Sequence, residues 1–230
     1  MSIFSSDLFF IKNALTTPSK TPFLRGMDLA NKIAKDYTEI ENLQSSNKLN
    51  AFVQNLLLTI RTELLGYFTK RKYILEFEGK IVEDDDKKEN KGLKVIINID
   101  GKLNLYHSIP YFCIAIALES KGEIVGGVIS NPITQEIFVV EKGRGTFVNE
   151  RRVRVSKREN LDECIISNRN ILTLSKVLDV CYVASGKYDG AIIKNAKVAN
   201  KLSFLMVEEA GGIVEKKENK FCITNGLIKL

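Results

Sequence analysis

From Lys94 to Val140 the chain passes through four apolar runs, and that rhythm restricts its fold more than any other feature. The runs are KVIINI (94–99), FCIAIAL (112–118), EIVGGVI (123–129) and EIFVV (136–140). Lys121-Gly122, Asn131-Pro132 and the Lys142-Gly143-Arg144-Gly145 turn follow the second, third and fourth of them. Short β-branched runs joined by Gly- and Asn-bearing turns predict an antiparallel meander. The first run is almost continuously apolar, as a strand buried on both faces would be.

The flanking segments supply helices. Between Leu49 and Phe68, apolar residues fall at Leu49, Phe52, Val53, Leu56, Leu57, Ile60, Leu64, Leu65 and Phe68, an i, i+3, i+4, i+7 stripe that predicts a long amphipathic helix. Met27–Tyr37 has helical spacing at Leu29, Ile33 and Ala34. A strand is predicted from Tyr73, and Lys80–Leu93 reads as a polar, solvated connector despite its four consecutive acids, Glu83 to Asp86. Ser175 is placed to cap a helix with Val177, Leu178, Cys181 and Tyr182 on one face and Gly186 at its end. A second helix is predicted over about 199–210, stopped by Gly211 and Gly212, with strands at 213–215 and 221–223. The sum is an α/β (α+β) layered fold.

Composition narrows the function classes. With 44% apolar and 27% charged residues among 230, there is enough apolar surface to offset chain entropy, so the chain is not disordered. No apolar run reaches the ~18 residues of a membrane span, and MSIFSSDLFF lacks the basic start of a secretion signal. A cytoplasmic, membrane-free protein is expected, with Cys113, Cys164, Cys181 and Cys222 as reduced, mostly buried thiols. One His and scattered Cys give no zinc spacing. A net charge of +6 permits phosphate or nucleic-acid contacts without requiring them. The Arg151, Arg152, Arg154, Lys157, Arg158 cluster has no interleaved aromatics and reads as a solvated surface.

The chemistry-bearing stretch is VIINIDGKLNLYHSIPYF (95–112), where a buried strand ends in Asp100-Gly101-Lys102. An acid there can hold a cation, and a Gly after it lets a phosphate approach backbone N–H groups. This stretch resembles the inositol monophosphatase family, whose strand motif is D-P-I-D-G-T-x-N-F; here Ile97 to Leu105 occupy it. His107, Pro110, Phe112, Gly122, Gly127, Val128 and Pro132 follow the next family pattern. Glu141, Gly143, Gly145, Asn149, Val155 and Ser156 follow another, then Ala184, Gly186, Asp189 and Gly190, then Glu209 to Gly212. Upstream, ENLQSSNK (41–48) and ILEFEG (74–79) look like the bacterial inositol-1-monophosphatase and extragenic-suppressor branch.

The resemblance implies one domain over 1–230: a helix pair and antiparallel sheet over about 27–156, then a reduced α/β unit over about 157–230. It implies a layered α-β-α-β-α sandwich, shortened in its C-terminal half. It also implies an acidic Mg²⁺ site in which two or three metals polarise a phosphate monoester and activate water. Carried over residue by residue, the metal-binding Glu is Glu76, the carbonyl ligand is that of Ile99 and the second Asp is Asp100. The bridging Asp falls on Ile97, the third metal Asp on Ala199 and the water-positioning Thr on Lys102. Asn200 is adjacent to Ala199, but is neutral. The early D-x-V-T motif has no counterpart, and a strand and helix are missing between Asn168 and Ser175.

With two of the family's four principal carboxylates replaced, only a residual Mg²⁺ site at Glu76, Asp100 and the Ile99 carbonyl is expected. Lys102 is expected to pair with Asp100, and Gly101 with Lys102 to offer an anion site. His107 is expected to be structural. The expected function is a pseudophosphatase that binds a small phosphorylated ligand, a protein partner or RNA-associated machinery, as a homodimer. The alternative is an active Mg²⁺-dependent phosphatase acting on inositol monophosphate or another small phosphomonoester.

Overall fold

The computed structural model describes residues 51, 55, 58, 74–77, 79–82, 93–107, 109–167, 173–196 and 198–230. The helix predicted at Met27–Tyr37, the apolar stripe of 49–68 and the 83–92 connector lie outside the described residues. Ala51, Asn55 and Leu58 are helical and exposed, and all three fall between the stripe positions, as the helical period requires.

A large sheet begins with β1 (Ile74–Phe77) and β2 (Lys80–Val82), then β3 (Leu93–Asp100). The short helix α1 (Lys102–Tyr106) follows, then β4 (Cys113–Ser120), β5 (Glu123–Asn131), β6 (Glu136–Glu141), β7 (Gly145–Val148) and β8 (Arg151–Arg152). Eight described strands lie in the order β2-β1-β3-β4-β5-β6-β7-β8. The predicted meander is β3 to β6, each strand antiparallel to the next, and β7 extends it in the same way. β1 joins it in parallel to β3, and β2 returns antiparallel to β1 across the turn at Gly79.

The second half adds β9 (Ile166–Ser167), α2 (Lys176–Ala184), β10 (Gly190–Lys194), α3 (Val198–Glu209), β11 (Ile213–Lys217) and β12 (Lys220–Thr224). Its four described strands form a small sheet in the order β11-β12-β10-β9. Helices α2 and α3 pack on each other and against both sheets, so a helical layer separates them. Ile96, Ala115, Ala117, Ile129 and Phe138 of the large sheet, Leu178, Cys181, Leu202 and Met206 of the helices, and Ile193 and Ile223 of the small sheet share one core.

Small residues let α3 come close. A Cβ on Gly127 would lie 2.3 Å from the Ile116 carbonyl oxygen and 2.9 Å from Leu202 Cδ1, so only glycine fits beneath that leucine. All four cysteines are free and buried, as expected. No helix among the described residues is long and apolar enough to cross a membrane.

Several elements depart from the expectation. The polar connector starts later than predicted, because Lys80–Val82 pairs with β1 as β2. Lys102–Tyr106 is helical, a segment for which the sequence predicts no element. Gly190–Lys194 is a strand at the centre of the small sheet, its apolar run too short to stand out after the Asp189-Gly190 turn signal.

Candidate functional site

Strand alternation decides which side chains can meet. Glu76 pairs with Ile96 in the parallel β1–β3 ladder, so it shares a face of the sheet with Lys94, Ile96, Asn98 and Asp100. Asp100, Asn98 and Ile96 stand opposite Cys113, Ala115 and Ala117, which belong to the core beneath α2 and α3. Ile97 takes the other face; it is fully buried. The position of the family's bridging carboxylate therefore points away from Glu76 and Asp100.

Asp100 ends β3 where α2 begins. Its Oδ2 accepts from Ser175 Oγ at 3.0 Å and from the Val177 N–H at 3.0 Å. Ser175 occupies the cap position of α2 yet makes no side-chain cap bond. Instead its hydroxyl donates a hydrogen bond to Asp100, and Asp100 caps the helix from outside the segment. Exposed N–H groups and the positive end of the helix dipole both favour a carboxylate here. Gly101 then turns the chain with φ 79°, and a Cβ there would lie 2.8 Å from the Tyr111 carbonyl oxygen. Close approach is thus made by the protein's own segment leading into β4, which accounts for the glycine without a ligand. Lys102 is the first residue of α1 and half-buried. Ile99 is buried opposite Ile114 in the β3–β4 ladder.

Glu76 is engaged elsewhere. Lys94 Nζ lies 2.6 Å from Glu76 Oε2 and 3.8 Å from Glu119 Oε1. The hydrogen bond to Glu76 holds the Lys94 ammonium above the ordinary lysine range. Four residues of β3 separate the level of Glu76 from Asp100, about 13 Å of strand. Ala199 is the second residue of α3 and carries no donor side chain. Asn200 is buried, and its carbonyl accepts from Ser203 Oγ.

These residues do not fit Mg²⁺. The ion needs convergent oxygen ligands at about 2.0–2.1 Å. Here one acid is matched by an ammonium, the other by two donors of α2, and the two stand far apart. No group of three or more His, Cys, Asp or Glu positioned for a metal occurs among the described residues.

A buried polar cluster lies beside Asp100. Asp179, 1% exposed, accepts from Ser167 Oγ at 2.5 Å, Thr173 Oγ1 at 2.5 Å and Tyr111 Oη at 2.9 Å. Asn104 Nδ2 donates to the carbonyls of Tyr111 and Thr173, both at 2.6 Å, so α1 is tied to the same cluster. Burial raises the Asp179 carboxyl above its ordinary value; the three hydroxyls pull it down, and the Asp100 charge raises it further.

The other acids of the family pattern also have structural partners. Asp189 is fully buried and accepts from Ser156 Oγ, from Arg158 Nε at 2.6 Å and from the Ile165 N–H. Glu209 accepts from the N–H groups of Gly143 and Gly145. Within the basic cluster, Arg158 holds Asp189 and Arg154 donates to the Glu209 carbonyl, while Arg151, Arg152 and Lys157 are exposed. His107 is the exposed C-cap of α1.

A model of the inositol monophosphatase family matches residues 41–228. The chain belongs to the inositol monophosphatase family. An inositol-1-monophosphatase of Rhizobium meliloti (strain 1021) is 30% identical over 211 residues, 78% of each chain. A protein named Nus factor SuhB, from Haemophilus influenzae, is 28% identical over 215 residues, covering 80% of this chain and 79% of its own. The crystal structure of extragenic suppressor protein suhB from Bartonella henselae superposes with a TM-score of 0.70 at 30% identity, over 89% of this chain and 94% of that one. The fold is therefore that of an inositol monophosphatase.

Within that family frame, sequence reasoning missed Lys94, the Ser175 hydroxyl and the Asp179 cluster. Asp179 carried a signal: it sits in the otherwise apolar run VLDVCYVA, where a carboxylate must find donors. Lys94 carried none, because its contact with Glu76 depends on the parallel pairing of β1 with β3.

Proposed function

We propose that this inositol monophosphatase family member is a pseudophosphatase that works by binding and does not turn over phosphomonoesters. The observation that supports the reading is the separate employment of the two retained acids, Glu76 by Lys94 and Asp100 by the N-terminus of α2. In-line hydrolysis at a two-metal centre needs ions about 3.5–4 Å apart that hold both the attacking and the leaving oxygen. Acids about 13 Å apart along a strand cannot supply that. Every ~1.4 kcal/mol of lost transition-state stabilisation is a tenfold loss of rate, and a missing metal removes several such steps.

The ligand is a small phosphorylated molecule near Gly101 and Lys102, or a protein partner or RNA-associated machinery. The relatives named Nus factor SuhB support the partner arm. The second reading, an active Mg²⁺-dependent phosphatase on inositol monophosphate or another small phosphomonoester, is favoured by the Rhizobium relative, named inositol-1-monophosphatase. Phosphate release from a panel of small phosphomonoesters at high Mg²⁺ decides between them. The expected result is no release above background from the native chain or from Asp100→Ala. Release by the native chain that the substitution abolishes would install the second reading.

A further inference from the structure

We propose that the Lys94 ammonium is a built-in counter-cation: it occupies the side of Glu76 from which a metal ion would neutralise it, and ties Glu76 to Glu119 across three adjacent strands. The inference deepens the pseudophosphatase reading and rests on it in one respect, that Glu76 is not a working metal ligand.

The geometry carries it. Lys94 stands directly opposite Glu119 in the β3–β4 ladder and next to Ile74 in the β1–β3 ladder, one step along the same face from Glu76. Its Nζ is 2.6 Å from Glu76 Oε2 and 3.8 Å from Glu119 Oε1. The side chains of Lys94, Glu76 and Glu119 are 24%, 11% and 22% exposed, so water screens the group only in part. Without a cation, two carboxylates on one face of β1 and β4 would repel across β3.

A tethered ammonium has two advantages over a dissolved ion. Its local concentration is fixed by the chain, so it is never lost by dilution. A divalent ion must also displace it and give up bound water, which Mg²⁺ does reluctantly. The expected behaviour is a sheet end indifferent to divalent cations until the lysine is removed.

The test is Mn²⁺ binding to the full chain, followed by electron paramagnetic resonance of the free ion. Native protein is compared with Lys94→Met, and with Lys94→Met carrying Glu76→Gln. Lys94→Met is expected to bind Mn²⁺ at least about tenfold more tightly than native, because a positive charge within contact distance of two acids is gone. Glu76→Gln should remove that gain. Equal affinity in native and Lys94→Met would overturn the proposal. Should the variant not fold, the native chain still decides: the Lys94 ammonium resonance in ¹⁵N-labelled protein should not move as Mg²⁺ is added to millimolar levels. Displacement of that resonance by Mg²⁺ would overturn the inference. The two readings fail separately: phosphate release with an unmoved Lys94 resonance would sink the pseudophosphatase alone, and a displaced Lys94 without release would sink the counter-cation alone.

Discussion

At Asp179 one carboxylate receives hydroxyls from three separate segments: Tyr111 before β4, Ser167 in β9 and Thr173 before α2. Burial is the largest influence on this carboxyl and raises its pKa. A carboxyl raised on folding binds more protons in the native than in the unfolded chain. Its protonation therefore stabilises the fold below the ordinary carboxylate range, and that contribution fades as pH rises through the folded value. Unfolding free energy compared between native and Asp179→Asn from acid to neutral pH should show the native chain losing ground to the variant as pH climbs. If it gains ground instead, the three hydroxyls outweigh burial and hold the group ionised. The same residue explains why the polar cluster was only partly legible. An acid inside VLDVCYVA announces a buried partner, but not which one, since Ser167, Thr173 and Tyr111 are each too ordinary to stand out.

Among elements, α3 and the β6–β7 turn illustrate how a family signature residue acquires a structural role. Glu209 is the last residue of α3, where a negative charge opposes the helix dipole. It is retained there because its two oxygens accept from Gly143 N–H at 2.6 Å and Gly145 N–H at 2.9 Å, fastening the Lys142–Gly145 turn to the helix. Hydrogen bonds to a charged acceptor contribute about 1.5–3 kcal/mol. Glu209→Ala should lower the unfolding free energy in urea by about that amount, whereas a solvated surface acid would change it by less than about 0.5 kcal/mol. Legibility followed the length and purity of each element's pattern. The β3–β6 meander, α2 and α3 were readable because long apolar runs end at clear turn residues. β2, with only Ile81 and Val82 apolar, and α1, five residues set off by Gly101, draw their structure from tertiary partners and left no local period.

Over the whole molecule, α2 and α3 contribute to one core shared by both sheets. Sharing a core should couple the two sheets in unfolding. The four buried cysteines report on it, since Cys113 and Cys181 lie in the layer between large sheet and helices and Cys164 and Cys222 belong to the small-sheet side. Thiol labelling across a denaturant series should expose all four with one midpoint. Earlier labelling of Cys164 and Cys222 would show that the C-terminal unit opens by itself. The architecture was legible in the sequence because the family frame is carried by glycines, turns and apolar runs, which this chain keeps. The state of the acids was not, because whether Asp100 and Glu76 face a metal or a protein donor is set by partners distant in sequence.

The retained acids are engaged by protein donors in place of metal. The decisive measurement is at Asp100: the unfolding free energy of native and Asp100→Ala with and without Mg²⁺. Removing the carboxylate takes the acceptor from Val177 N–H and Ser175 Oγ, and losing such a cap costs about 1–2 kcal/mol. That loss is expected in full, and of equal size, whether or not Mg²⁺ is present. No loss in its absence, and a loss that appears only when Mg²⁺ stabilises the native chain, would show that Asp100 is a metal ligand and not a helix cap.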